Sequence, residues 1–209
     1  MTAAAPITAT SPVVLADRLA RTGVATDVAW VAAGAAFTAA LAQVEVPLWP
    51  VPITGQTLAV VLVGATLGMR RGALSMLVYA VVGLLGAPVF SGGEGGIATL
   101  ASPSFGYVVG FIGSAALVGW LAERRWDRRF GLAALASLAA TALPFVVGLP
   151  WLAVVLGQLG APNDVGTVLQ AGLAPFVVGG LVKALIAAGV LPLAWRALGR
   201  GGRRGGRRD

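Results

Sequence analysis

Lys183 is the residue whose position most clearly suggests chemistry. It is the only lysine in the chain and the only charged side chain in the apolar segment Leu173–Trp195. It lies 8 residues after Pro175 and 13 before Arg196, which is about 12 Å and 20 Å along a helix. An ammonium group at that depth is a strong hydrogen-bond donor or the partner of an anion. The alternative is a side chain that extends to a polar surface without binding a ligand.

A second group of polar side chains follows a proline-rich segment. Residues 47–52 contain three prolines, which hold the backbone extended. Thr54, Gln56 and Thr57 come next, at the start of an apolar stretch. An amide both donates and accepts hydrogen bonds, so Gln56 suits a neutral polar ligand. Helix capping by Thr54, with Gln56 at the level of the lipid headgroups, explains the same residues without a ligand.

A glycine-rich loop is the third candidate. Five of the seven residues in 91–97 are glycine or serine, so this backbone can bend closely around a ligand. Phe90 and Glu94 belong to this region and Tyr107 follows it; a flexible lid is the functional interpretation. The alternatives are a simple linker and a Tyr107 that belongs to an interfacial aromatic belt. The loop is not a P-loop, because no Gly-Lys-Ser/Thr follows it and no strand precedes it.

The chain contains no histidine and no cysteine. Imidazole bases, thiolate nucleophiles, disulfides and most transition-metal sites are therefore excluded. A membrane enzyme would need a nucleophile with a base, paired acids or metal ligands, and the apolar segments contain no Asp or Glu. The inventory favours binding and transport over catalysis, with no cofactor in this chain.

Apolar helices must position these residues. Of 209 residues, 57% are hydrophobic and 11% charged, against about 25% charged in soluble domains. A membrane-spanning helix needs about 20 apolar residues. We therefore predict an all-α integral membrane protein, a bundle of six transmembrane helices at Val28–Val44, Ile53–Met69, Gly72–Phe90, Phe105–Ala122, Gly131–Leu149 and Leu173–Trp195. The short apolar segment Trp151–Leu159 either extends the fifth helix beyond a proline kink or lies at the interface.

The arginines indicate the orientation. All fourteen lie in the N-terminal 27 residues, in the connections after the second and fourth predicted spans, and after the sixth predicted span, whereas the other three loops contain no Lys or Arg. The positive-inside rule predicts a multi-pass protein of the cell membrane with both termini in the cytoplasm. We divide the chain into a cytoplasmic N-terminal segment (1–27), a transmembrane substrate-binding domain (28–196) and a disordered Arg/Gly-rich cytoplasmic tail (197–209).

The tail has two interpretations. Residues 199–209 read GRGGRRGGRRD, which is compatible with an arm that binds nucleic acid. A juxtamembrane segment that fixes topology and touches anionic lipid is the simpler explanation. We adopt the second interpretation and expect membrane lipid, and no nucleic acid, as a partner.

A stripe of small residues marks the first predicted span. Ala32, Ala36 and Ala40 recur every four residues, a spacing that lets another helix approach closely. The stripe either packs inside the bundle or faces a partner subunit.

Several segments together resemble one family. Val51–Thr57 reads VPITGQT and resembles the VPIT-x-QT segment of the BioY family, the biotin-specific S components of energy-coupling factor (ECF) transporters. The resemblance covers about residues 28–196. Four further segments match in order: LGMRRGA at 67–73, GAPVF at 86–90, GYVVGF at 106–111, and PF at 175–176 with Lys183 following.

The resemblance implies a six-helix S component that captures biotin at its outer face. Family members work with a membrane-spanning T subunit and two cytoplasmic ATPases, which supply ATP hydrolysis, and the small-residue stripe would meet the T subunit. The alternative is a solitary carrier of biotin or another small vitamin without ATPase partners. The implied substrate-binding residues are Lys183, Gln56, Thr54, Tyr107, Glu94, Phe90 and Phe176.

One position departs from the family pattern. The family commonly reads Pro-Phe-x-x-Gly-Asp-x-x-Lys near its end, and here Gly180 occupies the aspartate position. A carboxylate there would accept hydrogen bonds from the ureido N–H groups of biotin. Its absence leaves those donors to Gln56, Glu94, backbone carbonyls or water.

Overall fold

The computed structural model describes residues 14–20 and 23–204, with side chains up to residue 198. Eight α-helices occur in these ranges, together with a two-residue hairpin in which β1 (Glu45–Val46) pairs antiparallel with β2 (Ile53–Thr54). The helices are α1 (Leu15–Leu19), α2 (Val24–Ala42), α3 (Gln56–Leu67), α4 (Met69–Leu84), α5 (Phe105–Glu123), α6 (Phe130–Gln158), α7 (Val165–Gly172) and α8 (Ala174–Arg204).

The long helices correspond in order to the six predicted spans. Within the described residues, four segments are long and apolar enough to cross a membrane: Val24–Ala42, Phe105–Glu123, Phe130–Gln158 and Val165–Leu198. The other two helices, α3 and α4, have 12 and 16 residues. The protein is thus a mostly helical membrane protein with at least these four candidate spans.

Helices α3 and α4 are shorter than predicted for local reasons. The predicted second span began at Ile53, but Ile53 and Thr54 pair with β1 in the hairpin. Gly68 has a φ of +86° and separates α3 from α4, a conformation that glycine adopts without a steric penalty. The predicted third span ran to Phe90, whereas α4 ends at Leu84 and is followed by the left-handed Gly86.

Segment 150–172, whose structure the sequence left open, is mostly helical. Helix α6 continues through Pro144 and Pro150 to Gln158, so Trp151–Leu159 extends the fifth long helix. Helix α7 was not predicted. Asp164 caps it by accepting hydrogen bonds from the Thr167 hydroxyl and backbone N–H, and these bonds hold the pKa of the Asp164 carboxyl below its usual range.

The chain ends differ in part from the prediction. Residues 197–204, predicted to be disordered, continue α8 as helix. Residues 205–209 of the predicted tail lie outside the described residues, as do 1–13 and 21–22 of the predicted N-terminal segment. The remainder of that segment contains α1 and the first turn of α2.

Close helix contacts at glycines hold the bundle together. Helix α5 packs against α3, α4 and α6. A Cβ on Gly64 of α3 would lie 2.5 Å from the Ala115 carbonyl oxygen of α5, and a Cβ on Gly119 would lie 2.4 Å from the Gly68 carbonyl carbon. These backbones approach within a distance that only glycine permits.

Polar contacts connect the arginine-bearing end of the bundle. Arg71 forms ion pairs with Asp17 (2.7 Å) and Asp27 (2.9 Å), joining α4 to α1 and α2. Between α5 and α6, the buried Asp127 accepts a hydrogen bond from the Trp195 indole of α8, and burial raises the pKa of its carboxyl group. Two ion pairs and one buried hydrogen bond therefore join the helices at this end.

We expect Gly64→Ala to destabilise the protein. The added methyl meets backbone atoms of Ala115, at 2.5 Å and 2.9 Å, so α3 and α5 must separate. Overpacking of this kind costs about 1–3 kcal/mol and lowers the thermal unfolding midpoint in detergent. Gly189→Ala on α8 is the matched control, since no atom lies within 4 Å of its added methyl. A midpoint for Gly64→Ala equal to that of the control would contradict the predicted packing.

Candidate functional site

A cavity of about 380 Å³ lies between the β-hairpin, the glycine-rich loop, α3, α5, α6 and α8. Its volume falls within the range of small-molecule sites. The structure brings all seven predicted ligand residues to its wall: Thr54, Gln56, Phe90, Glu94, Tyr107, Phe176 and Lys183. The residues therefore share one site, which their predicted role requires.

Lys183 points into this site from α8. Its half-buried ammonium donates to the Thr54 carbonyl oxygen at 2.5 Å and to the Thr57 hydroxyl at 3.1 Å. Both partners belong to the segment that starts α3. The ammonium is therefore bound to protein groups of the site, and the side chain does not simply extend to a polar surface. An ammonium has three N–H donors, and the two used here leave one for a ligand.

Gln56 belongs to a connected set of hydrogen bonds. Its side chain is 6% exposed, and its Nε2 donates to the Tyr79 hydroxyl at 2.6 Å. Its Oε1 accepts from the Thr54 hydroxyl at 2.8 Å, and its backbone N–H donates to the same hydroxyl at 3.2 Å. The N-cap residue of α3 is Gly55. The Thr54 hydroxyl nevertheless accepts the first backbone N–H of the helix and also holds the Gln56 side chain.

Aromatic rings form much of the remaining wall. Tyr107 is 7% exposed and donates its hydroxyl hydrogen to the Gly172 carbonyl at 2.9 Å. Its ring lies 5.7 Å from that of Phe145 and 6.3 Å from that of Phe176, measured between centroids. A ring buried in this cluster does not belong to an interfacial belt. The site is therefore polar toward α3 and Lys183 and apolar around Tyr107.

The glycine-rich loop closes one side of the cavity. Gly92, Gly93 and Gly96 have φ angles of 70°, 71° and 95°, values that glycine adopts readily. The Ser91 hydroxyl donates to the Glu45 carboxylate of β1, so the loop is tied to the hairpin. Glu94 lines the cavity but is exposed, which places it at the rim rather than inside.

Sequence reasoning missed three residues of this site or its support: Glu45, Tyr79 and Phe145. Glu45 lines the cavity but was not among the predicted ligand residues. Tyr79 and Phe145 lie in helices that are apolar all round, where periodicity does not reveal the inward face. The available signal for Tyr79 was its hydroxyl, because a buried tyrosine normally has a hydrogen-bond partner.

Gly180 lies on α8 one turn before Lys183. A Cβ there would lie 3.2 Å from Cγ2 of Thr141 on α6, so this face of α8 packs against α6. Among the described residues, the carboxylates that line the cavity are those of Glu45 and Glu94. Acceptor groups of carboxylate type therefore come from the loops and not from α8.

The small-residue stripe lies on the outside of the bundle. Ala32, Ala36 and Ala40 are exposed, whereas Gly34 and Thr38 are among the residues on the buried face of α2. Of the two interpretations of the stripe, packing inside the bundle is therefore wrong for this chain.

Comparisons with known proteins agree with these features. The family profile described as the BioY family matches residues 9–200. A relative from Rhizobium etli named "Biotin transporter BioY" is 37% identical over 146 residues, covering 66% of this chain and 75% of the relative. A "Probable biotin transporter BioY" from Pyrococcus horikoshii is 36% identical over 163 residues, covering 78% of this chain and 92% of that protein.

One solved structure is also similar. It is the crystal structure of the S-component for biotin from an ECF-type ABC transporter, with a TM-score of 0.68 and 25% sequence identity. The similarity covers 85% of this chain and 95% of that one.

Proposed function

This chain belongs to the BioY family, and on that premise we propose that it takes up biotin across the cell membrane as the substrate-binding S component of an ECF-type transporter. It is a transporter component and not an enzyme. The observation that carries the proposal is the single cavity around which the seven candidate residues meet. Relatives named biotin transporters and the similar biotin S-component structure support it.

The chemistry of the cavity suits biotin. Biotin joins a hydrogen-bonding ureido ring to an apolar thiophane and valerate chain that ends in a carboxylate. The rings of Phe90, Tyr107 and Phe176 provide apolar contact, and the third N–H of Lys183 provides a charged donor. Thr54 and Gln56 add neutral polar groups. With glycine at position 180, we assign the acceptors for the ureido N–H groups to Gln56, Glu94 and also Glu45.

We further propose six membrane spans, with the cavity at the outer face and both termini in the cytoplasm. In this arrangement α3 and α4 cross as short helices. The support is the separation of charge: helices α3, α5 and α8 each begin beside the cavity, whereas arginines follow the opposite ends of α3 and α5. The positive-inside rule assigns the arginine-bearing end to the cytoplasm.

A T subunit and two ATPases complete the proposed transporter. The exposed stripe of Ala32, Ala36 and Ala40 supports a helix-to-helix contact, since small side chains let backbones approach closely without a hydrophobic driving force. The ATPases supply hydrolysis, and anionic lipid contacts the cytoplasmic arginines.

Lys183→Ala tests the cavity. We expect the affinity of the purified protein for biotin to fall roughly 10- to 100-fold, the value of a hydrogen bond to a charged group. Leu185→Ala is the control, because Leu185 lies on the same helix but is exposed on the outside. Binding of biotin is measured by calorimetry in detergent, and thiamine and riboflavin are tested in the same way as alternative ligands. Unchanged biotin affinity in Lys183→Ala would remove Lys183 from the site, and binding of another vitamin instead of biotin would refute the proposed substrate.

Ala36→Trp tests the partner surface. We expect this variant to lose co-purification with the T subunit while retaining biotin affinity, because the indole blocks close approach on the stripe. Leu185→Trp places the same bulk on an exposed position of α8 and should retain the complex. Equal co-purification of both variants would contradict the stripe as the interface. A wild-type chain that transports biotin without T-subunit or ATPase bands would support the solitary carrier.

A further inference from the structure

We propose that Tyr79 is a positioning residue that fixes the orientation of the Gln56 side-chain amide in the cavity, and this inference rests on the proposed function. Tyr79 lies in α4, is 1% exposed and is not among the residues that line the cavity. Its ring packs edge-on against Phe90, with 5.4 Å between centroids. Tyr79 therefore acts on a ligand through its neighbours.

The number of available hydrogens determines the direction of each bond. A tyrosine hydroxyl has a single hydrogen to donate. The Val89 backbone carbonyl, 3.1 Å from that hydroxyl, can only accept, so it receives this hydrogen. The second neighbour of the hydroxyl is the Gln56 amide at 2.6 Å. That amide must therefore present its Nε2–H group, and not its oxygen, to Tyr79.

The opposite end of the amide is compatible with this orientation. The Thr54 hydroxyl accepts the backbone N–H of Gln56 at 3.2 Å and donates its own hydrogen to Gln56 Oε1 at 2.8 Å. An amide rotated by half a turn would place Oε1 against the Tyr79 oxygen, whose hydrogen is already bound to Val89. Tyr79 thus specifies the orientation of the amide, and the Thr54 hydroxyl stabilises that orientation by donating to Oε1.

The fixed amide has a consequence for the ligand. Nε2 retains one further N–H and Oε1 retains one further lone pair, and Gln56 lines the cavity. A ligand with a ureido group offers a carbonyl acceptor beside N–H donors. It forms hydrogen bonds with Gln56 only if its carbonyl faces Nε2–H and its N–H faces Oε1. An amide oriented before binding avoids the cost of ordering it during binding. The Val89 carbonyl orients the Tyr79 hydroxyl, and this hydroxyl orients the Gln56 amide. The amide in turn determines where a ligand must place its donor and its acceptor.

Tyr79→Phe tests this role. It keeps the ring and its contact with Phe90 but removes the acceptor for Gln56 and the donor to Val89. We expect biotin affinity to fall roughly 5- to 30-fold. Ser75→Ala is the matched control, because it also removes a fully buried hydroxyl from α4. That hydroxyl donates to the Arg71 carbonyl and lies outside the cavity. The control should bind biotin as the wild type does.

A double-mutant cycle separates positioning from general stability. In a Gln56→Leu background the amide is absent, so Tyr79→Phe should cause no further loss of affinity. We also expect the ratio of 2-iminobiotin to biotin dissociation constants to move toward 1 in Tyr79→Phe, because a rotating amide no longer distinguishes the ureido oxygen from an imino N–H. If Tyr79→Phe does not fold, Thr54→Val removes the donor to Oε1 and should show the same non-additivity with Gln56→Leu.

The possible outcomes distinguish the inference from the function on which it rests. The positioning role is supported if the wild type binds biotin, the effects of Tyr79→Phe and Gln56→Leu are non-additive, and the ratio of 2-iminobiotin to biotin dissociation constants changes in Tyr79→Phe. Wild-type binding with equal losses in both backgrounds, or with no loss, overturns the role of Tyr79 and leaves the proposed function intact. Absence of biotin binding by the wild type overturns both.

Discussion

The need to satisfy every polar group inside an apolar bundle governs the site. A donor or acceptor without a partner in a water-free environment costs several kcal/mol. The protein meets this constraint with a continuous set of hydrogen bonds from Lys183 through Thr54, Gln56 and Tyr79 to the Val89 carbonyl. This set joins α8, the hairpin, α3, α4 and the loop that follows α4, so the walls of the cavity depend on one another.

The rest of the fold keeps these groups at the required distances. Glycine contacts such as Gly64 against Ala115 bring α3 against α5, and Gln56 of α3 and Tyr107 of α5 line the same cavity. Gly68 ends α3 at the opposite end, where Glu123 accepts the backbone N–H of Met69. Close helix contacts and the hydrogen-bonded hairpin and glycine-rich loop favour a preorganised site. The entropic cost of ordering its side chains then arises when the protein folds rather than when it binds a ligand.

The sequence predicted the parts of the structure that have distinctive residue types. Lys183 was identified because a lone charge in an apolar segment is conspicuous, and Gln56 because it follows a proline-rich segment that resembles a family motif. The helices that correspond to the six predicted spans were predicted in order, but their ends and the short helices α1 and α7 were not. Gly68 and the Ile53–Thr54 pairing are local features within continuous apolar sequence. Tyr79 and Phe145 were missed for a related reason, since apolar helices show no periodicity that identifies an inward face.

Under the proposed function, the glycine at position 180 changes where ligand recognition takes place. In the family pattern, an acid and Lys183 would lie on one helix and present opposite charges from a single rigid element. Here α8 contributes the cation, and the carboxylates that line the cavity belong to Glu45 in the hairpin and Glu94 in the glycine-rich loop. Ser91 donates to Glu45, so an acceptor on the hairpin also depends on the position of the glycine-rich loop. Under the proposed function, capture of the ureido N–H groups therefore requires both loops to be in place, whereas the lysine contact requires only α8 and the start of α3.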